Sequence, residues 1–186
     1  MPLAAVRIPT AAPTPPPVCW NRPFVRGATM DRIRLREYAI HPCIGCGYCS
    51  AHPGHCVFDG DDVADLFRRM EHADSLILNI PVYFYGPPAL LKGFIDRAQI
   101  FWEQRREGTR TPRRPAQAVL CAARTQGDRL FEANLLILRC FWIRWIQLHE
   151  PLFLRGVEPH RSFTSQAIAQ MNDSTRSRRT GHTFLS

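Results

Sequence analysis

Short apolar runs that alternate with helix-spaced apolar stripes restrict the fold of this chain more than any other feature. Ser75–Ile80 is a nearly continuous apolar run closed by Pro81, the pattern of a strand buried on both faces. Ala118–Ala122 repeats it, and Gln147–Leu154 has the composition of a last strand. Met30–Leu35 alternates instead, with Ile33 and Leu35 on one face. Helical stretches lie between these runs. Asp61 or Asp62 is placed to cap a stripe of Val63, Leu66, Phe67 and Met70, and a helix from Pro88 carries Leu91, Phe94, Ile95 and Ala98. Asp128–Trp145 turns Phe131, Leu135 and Leu138 inward, and Ser165–Arg179 is a weaker terminal helix. Strand and helix in this rhythm imply parallel βαβ units in a three-layer α/β sandwich. Ligands of such folds sit beyond the carboxyl ends of the strands. The loops after Ile80 and Ala122 are therefore the places to look.

The start of the chain breaks the rhythm. Its first 23 residues hold seven of the sixteen prolines, among them Pro15, Pro16 and Pro17. Proline fixes φ and lacks the N–H, so only Leu3–Ile8 can form a strand there. Residues 1–23 are expected to be a Pro-rich arm, disordered or the product of a misassigned start, and 24–186 the folded domain. The net charge of +8 rests on arginine, Lys92 being the only lysine. Neither Arg105–Arg114 nor Arg176–Arg179 is interleaved with aromatics as single-strand binders are, so a solvated surface is expected and not nucleic-acid binding. No apolar run approaches the roughly 18–20 residues of a membrane span, and Leu3–Ile8 is too short for a secretory core. A cytoplasmic setting follows, where clustered thiols stay reduced and suggest a metal before a disulfide.

Cys43-Ile44-Gly45-Cys46-Gly47-Tyr48-Cys49 followed by Cys56 is the most specific motif. Cysteines at every third residue can wrap three corners of a cubane from one tight loop, with a fourth from close by. Gly45 and Gly47 let the backbone curl and leave amides free to point at sulfur. Zinc remains open, although it favours C-x2-C pairs across a longer spacer; His41, His52 and His55 lie close enough to join such a site. A metal-free redox pair also remains open. Cys121 and Cys140, in an apolar strand and helix, are expected to be buried structural thiols, and nothing is assigned to Cys19.

Pro42–Cys49, then Asp61-Asp62, then Pro81-Val82-Tyr83-Phe84-Tyr85-Gly86 and Leu91-Lys92-Gly93-Phe94-Ile95-Asp96-Arg97 resemble the iron–sulfur flavoproteins of the flavodoxin-like, NADPH-dependent FMN reductase superfamily. The similarity runs from about Phe24 to Phe163. It implies a flavodoxin-like sheet, bound FMN, a 4Fe-4S cluster on Cys43, Cys46, Cys49 and Cys56, and dimers or tetramers. NAD(P)H or a ferredoxin-like redox protein would be the partner. Pro81, Val82, Tyr83, Phe84, Tyr85 and Gly86 would lie against the flavin ring, with Ala123, Arg124 and Gly127 in a second ring-side loop. Lys92, Asp96 and Arg97 match a helix in which an Asp–Arg surface pair is one reading and a functional role the other.

The resemblance fails at the start. Such proteins begin with a central strand and a Ser-x-Arg-rich loop that holds the FMN phosphate at a helix N-terminus. Here Pro13, Pro15, Pro16 and Pro17 stand in that loop and donate no N–H, so the first strand and helix are expected to be degraded. No residue stands out as a general acid or base. Three functions stay in view: an electron-transfer oxidoreductase coupling FMN to the cluster, an NAD(P)H-dependent FMN reductase without a working cluster, and a zinc-stabilised binding module.

Overall fold

Six strands form one open sheet in the order β2-β1-β3-β4-β5, with β6 also on the β4 edge. They are β1 (Pro2–Arg7), β2 (Thr29–Arg34), β3 (Ser75–Pro81), β4 (Arg114–Ala122), β5 (Ile146–Leu148) and β6 (Leu152–Arg155). The computed structural model describes residues 2–7, 29–106, 114–142 and 146–157. The helices are α1 (Tyr48–Ala51), α2 (Val63–Glu71), α3 (Ala89–Asp96), α4 (Gln99–Arg106) and α5 (Arg129–Trp142), with a 3-10 turn at Leu35–Glu37. The expected terminal helix at Ser165–Arg179 and the remnant at 24–28 lie outside the described residues.

The apolar runs behave as their composition demands. Leu76, Ile77, Leu78 and Ile80 are all buried in β3, and β4 pairs with β3 in parallel register from Leu76↔Ala116 to Pro81↔Cys121. Alternate residues of both strands join one core with Leu66, Phe67, Met70, Phe94, Phe131 and Leu138 from the helices. Phe67 anchors it, stacked on Phe94 at 4.5 Å and edge-on to Phe101 at 4.8 Å. Cys121, Leu154 and Val157 form a smaller cluster on the other side of β4.

Four expectations are corrected. First, β1 takes the central slot between β2 and β3 but runs antiparallel to both, while the other strands are mutually parallel. A parallel crossover needs a dozen or more residues, usually with a helix, and the sequence between β1 and β2 carries Pro13, Pro15, Pro16 and Pro17, which a helix interior disfavours. An antiparallel return needs no helix. Second, Gln147–Leu154 is two short strands, because Pro151 cannot donate to the ladder, and β5 and β6 take successive registers along β4. Third, the helix from Pro88 splits into α3 and α4. Ala98 N–H bonds Ile95 O and Ile100 N–H bonds Arg97 O, so the turn tightens around Arg97. Fourth, Cys140 is exposed, since it lies off the Phe131–Leu135–Leu138 stripe of α5.

Candidate functional site

Two groups of loops frame the carboxyl edge of the sheet. The first is the cysteine loop, which leaves the 3-10 turn, forms α1 and packs along α4 before α2 begins. Gly45 (φ 65°) and Gly47 (φ 73°) adopt left-handed backbone, as the tight curl requires. Gly45 N–H lies 3.5 Å from Cys43 Sγ. Cys43, Cys46, Cys49 and Cys56 all border one cavity of about 440 Å³, together with Arg97 and Ile100. Burial pushes the Cys49 thiol upward; its backbone hydrogen bond partly offsets this, and Glu103, Cys43 and Cys56 add to the rise. Among the described residues, no three of His, Cys, Asp or Glu are drawn together to ligate a single ion. The donor set nevertheless fits a polynuclear cluster: four thiols face one space, and an amide already points at a sulfur.

The loop is anchored from beneath. Asp61, whose side chain is 1% exposed, accepts Arg97 Nη1 at 2.5 Å and Nη2 at 3.2 Å, and also the N–H groups of His41 and Val63. Burial would raise its carboxyl pKa; the Arg97 and His41 hydrogen bonds outweigh that and hold it below the ordinary carboxylate range. Asp62 is the N-cap residue of α2, but its carboxylate accepts Ala39 N–H and makes no side-chain cap bond, while Asp61, one residue earlier, accepts Val63 N–H. Arg97 is not on the surface, and the exposed pair of that helix is Lys92–Asp96. The pairing of Arg97 with Asp61 spans 36 residues, which is why helical spacing could not reveal it.

The second group follows β3 and β4. Tyr83 and Gly86 exchange both backbone hydrogen bonds, closing a two-residue turn over Phe84 (φ 47°) and Tyr85 (φ 65°). Positive φ at both central positions belongs to hairpin turns that favour Asn-Gly. Aromatic residues there cost about 1–3 kcal/mol each unless the surroundings hold them. Here they are held: Asn134 Nδ2 donates to Tyr85 O at 3.1 Å, and Arg124 Nη1 donates to Tyr85 Oη at 3.3 Å. Phe84 is fully exposed, and Tyr83 and Tyr85 are more than half exposed. Tyr85 thereby joins the Pro81–Gly86 loop to the Ala123–Gly127 loop. Beside Tyr83 a cavity of about 200 Å³ is lined by Arg36, Asn79, Pro81, Pro88 and Leu91. Asn134 escaped sequence reasoning. Its signal is a polar residue on the buried stripe of α5, three positions after Phe131, and it is 1% exposed.

The remaining thiols separate cleanly. Cys121 is buried, and burial alone pushes its pKa up to about 12. In folded, iron-free protein treated with iodoacetamide at pH 8, Cys121 is expected to stay unmodified while exposed Cys46 and Cys140 react, since the thiolate is the nucleophile. Peptide mass spectrometry checks this; labelling of Cys121 at the rate of Cys46 would refute its burial.

An open α/β sheet in 2-1-3-4-5 order, with its loops gathered at the carboxyl edge, is a flavodoxin-like architecture. The chain belongs to the NADPH-dependent FMN reductase family, whose model matches residues 20–156. It is 40% identical over 73 residues to an iron–sulfur flavoprotein of Methanocaldococcus jannaschii, covering 39% of this chain and 37% of that protein. An iron–sulfur flavoprotein of Methanosarcina thermophila is 36% identical over 73 residues, with the same coverage. The matched segment thus spans little more than a third of these relatives. An NAD(P)H:quinone oxidoreductase from Methanothermobacter marburgensis superposes with a TM-score of 0.41 at 22% identity, over 67% of this chain and 65% of that one. No helix among the described residues is long and apolar enough to cross a membrane.

Proposed function

We propose that this chain is an FMN-dependent oxidoreductase whose second redox centre is a 4Fe-4S cluster on Cys43, Cys46, Cys49 and Cys56. The observation that carries the reading is the common cavity bordered by all four thiols, reached through two left-handed glycines. The flavin half is supported by the family match and by the two loops that Tyr85 joins. When bound, FMN supplies paired or single electron transfer and the cluster single electron transfer; that chemistry is the cofactors' own.

The chain's part is placement. Tyr83, Phe84 and Tyr85 offer flat aromatic surface beyond the end of β3, and Asn134 and Arg124 keep that surface in a backbone shape it would not hold alone. Pro81 and Val82 carry the sheet ladder up to the turn, through Val82 N–H to Cys121 O at 2.8 Å. Ala123 and Gly127 (φ 98°) flank Arg124 in the second loop, and both loops would hold the flavin ring. NAD(P)H or a ferredoxin-like protein would supply or take the electrons, in a dimer or tetramer.

A second reading, an NAD(P)H-dependent FMN reductase without a working cluster, is favoured by the family description alone. Anaerobic protein is expected to contain iron and acid-labile sulfide at about four each per chain. Its spectrum would then show flavin bands with a broad visible shoulder. Flavin bands without iron would select the second reading, and a colourless protein with stoichiometric zinc and no sulfide would refute both.

A further inference from the structure

Arg97 occupies an unusual position. Its side chain is 3% exposed, and all four of its Nη hydrogens have an acceptor. Two go to Asp61. A third, from Nη1, reaches His41 O at 2.9 Å, and the fourth, from Nη2, reaches Phe58 O at 2.8 Å. His41 immediately precedes the cysteine loop and Phe58 follows its last cysteine by two residues. One guanidinium therefore fastens the two ends of the loop to one buried carboxylate. The ring of Phe58 lies 5.3 Å from the guanidinium carbon and stacks on His41 at 5.1 Å, which closes the clasp from the solvent side.

The fifth donor is different. Arg97 Nε is buried and has no hydrogen-bond partner among the described residues, although Arg97 borders the cysteine cavity. A buried N–H without an acceptor is costly and rare in native proteins. It marks a position where an acceptor belongs. Ser50, Gln99 and Asp96, the last already paired with Lys92, border the cavity beside the four cysteines, and four thiolates around iron and sulfide would carry net negative charge.

We propose that Arg97 is the positioning residue of the cysteine centre: its two amino nitrogens clasp the loop's ends to Asp61, and its Nε–H is the donor for a sulfur of the metal site. The clasp pre-orders the thiols before any metal arrives. The Nε half rests on the cluster reading given above; the clasp half does not. Lysine cannot replace arginine here, because an ammonium has three hydrogens at one point and cannot span four separated acceptors.

The test uses Arg97→Lys and Asp61→Asn in the full chain, the second variant covering the case in which the first does not fold. Iron-free protein is read first, by hydrogen exchange over 41–58. Both variants are expected to exchange that segment at least tenfold faster than wild type, with α5 protection and flavin titration unchanged. Equal exchange in wild type and variants would overturn the clasp whatever metal the protein holds. Reconstitution with ferrous iron and sulfide follows. Loss of a stabilising outer contact typically costs about 10–100-fold in metal affinity, so iron release to a chelator is expected to accelerate by that factor in Arg97→Lys. The midpoint potential of the remaining cluster should fall, because a hydrogen bond to sulfur has been removed. An unchanged potential and release rate would overturn the Nε assignment. Wild-type protein that takes up no iron would overturn the cluster reading and the Nε assignment together, with the exchange data still deciding the clasp.

Discussion

Replacing Cys46 with serine is expected to abolish iron and sulfide binding while leaving the melting temperature of the iron-free protein within about 2 °C of iron-free wild type. Cys46 is exposed on a loop outside the sheet, and none of the core residues touches the change. A hydroxyl is a poor substitute for a thiolate at the middle corner of a C-x2-C-x2-C triplet, so the loss should be complete and not graded. Cys121→Ser should behave in the opposite way. That thiol is 4% exposed against Leu154 and Val157, and a hydroxyl without a partner there costs about 1–3 kcal/mol. Iron content should be unaffected as the melting temperature drops. Iron analysis and calorimetry on both variants decide the matter. If Cys121→Ser lost its iron and Cys46→Ser kept it, the ligand set would be wrong.

The second large effect concerns the flavin's phosphate. A helix N-terminus and loop amides that hold a phosphate by three charge-assisted hydrogen bonds, at about 1.5–3 kcal/mol each, separate FMN from riboflavin by on the order of a thousandfold or more. That separation is expected to be missing here, with the two flavins bound within about tenfold of each other. The reason lies in strand direction. Arg7 pairs with Thr29 and Pro2 with Arg34, so the carboxyl end of β1 lies at the opposite edge of the sheet from Tyr83 and Gly127. The prolines between Arg7 and Thr29 lack the amide hydrogens that a phosphate loop needs. Grafting a strand, a Ser-x-Arg loop and a helix in place of residues 1–23 should restore the preference, provided the grafted strand runs parallel to β3. Fluorescence titration with both flavins, before and after the graft, provides the test. Thousandfold tighter FMN binding by the ungrafted chain would refute the expectation. It would point to Thr10, Thr14, Asn21, Arg22 or the cavity-lining Arg36 as the phosphate site.

The sequence alone determined what depends on neighbours along the chain. The parallel pair β3 and β4 was legible because a strand buried on both faces must be apolar at every position, and Leu76–Ile80 and Ala118–Ala122 are nearly so. The inward stripes of α2, α3 and α5 were legible because helical periodicity repeats every few residues. The cysteine spacing and the two flexible glycines within it are local as well. Only the tertiary structure decided the rest, because each remaining feature needs a partner far along the chain. The direction of β1 is fixed by its pairing with β2 and β3, which lie far along the chain. Arg97 looks like any helix-end arginine until Asp61, His41 and Phe58 converge on it across 36 to 56 residues. Phe84 and Tyr85 would not be expected at positive φ from their own preferences. Asn134, 49 residues away, holds that turn through the Tyr85 carbonyl and lets the strain persist.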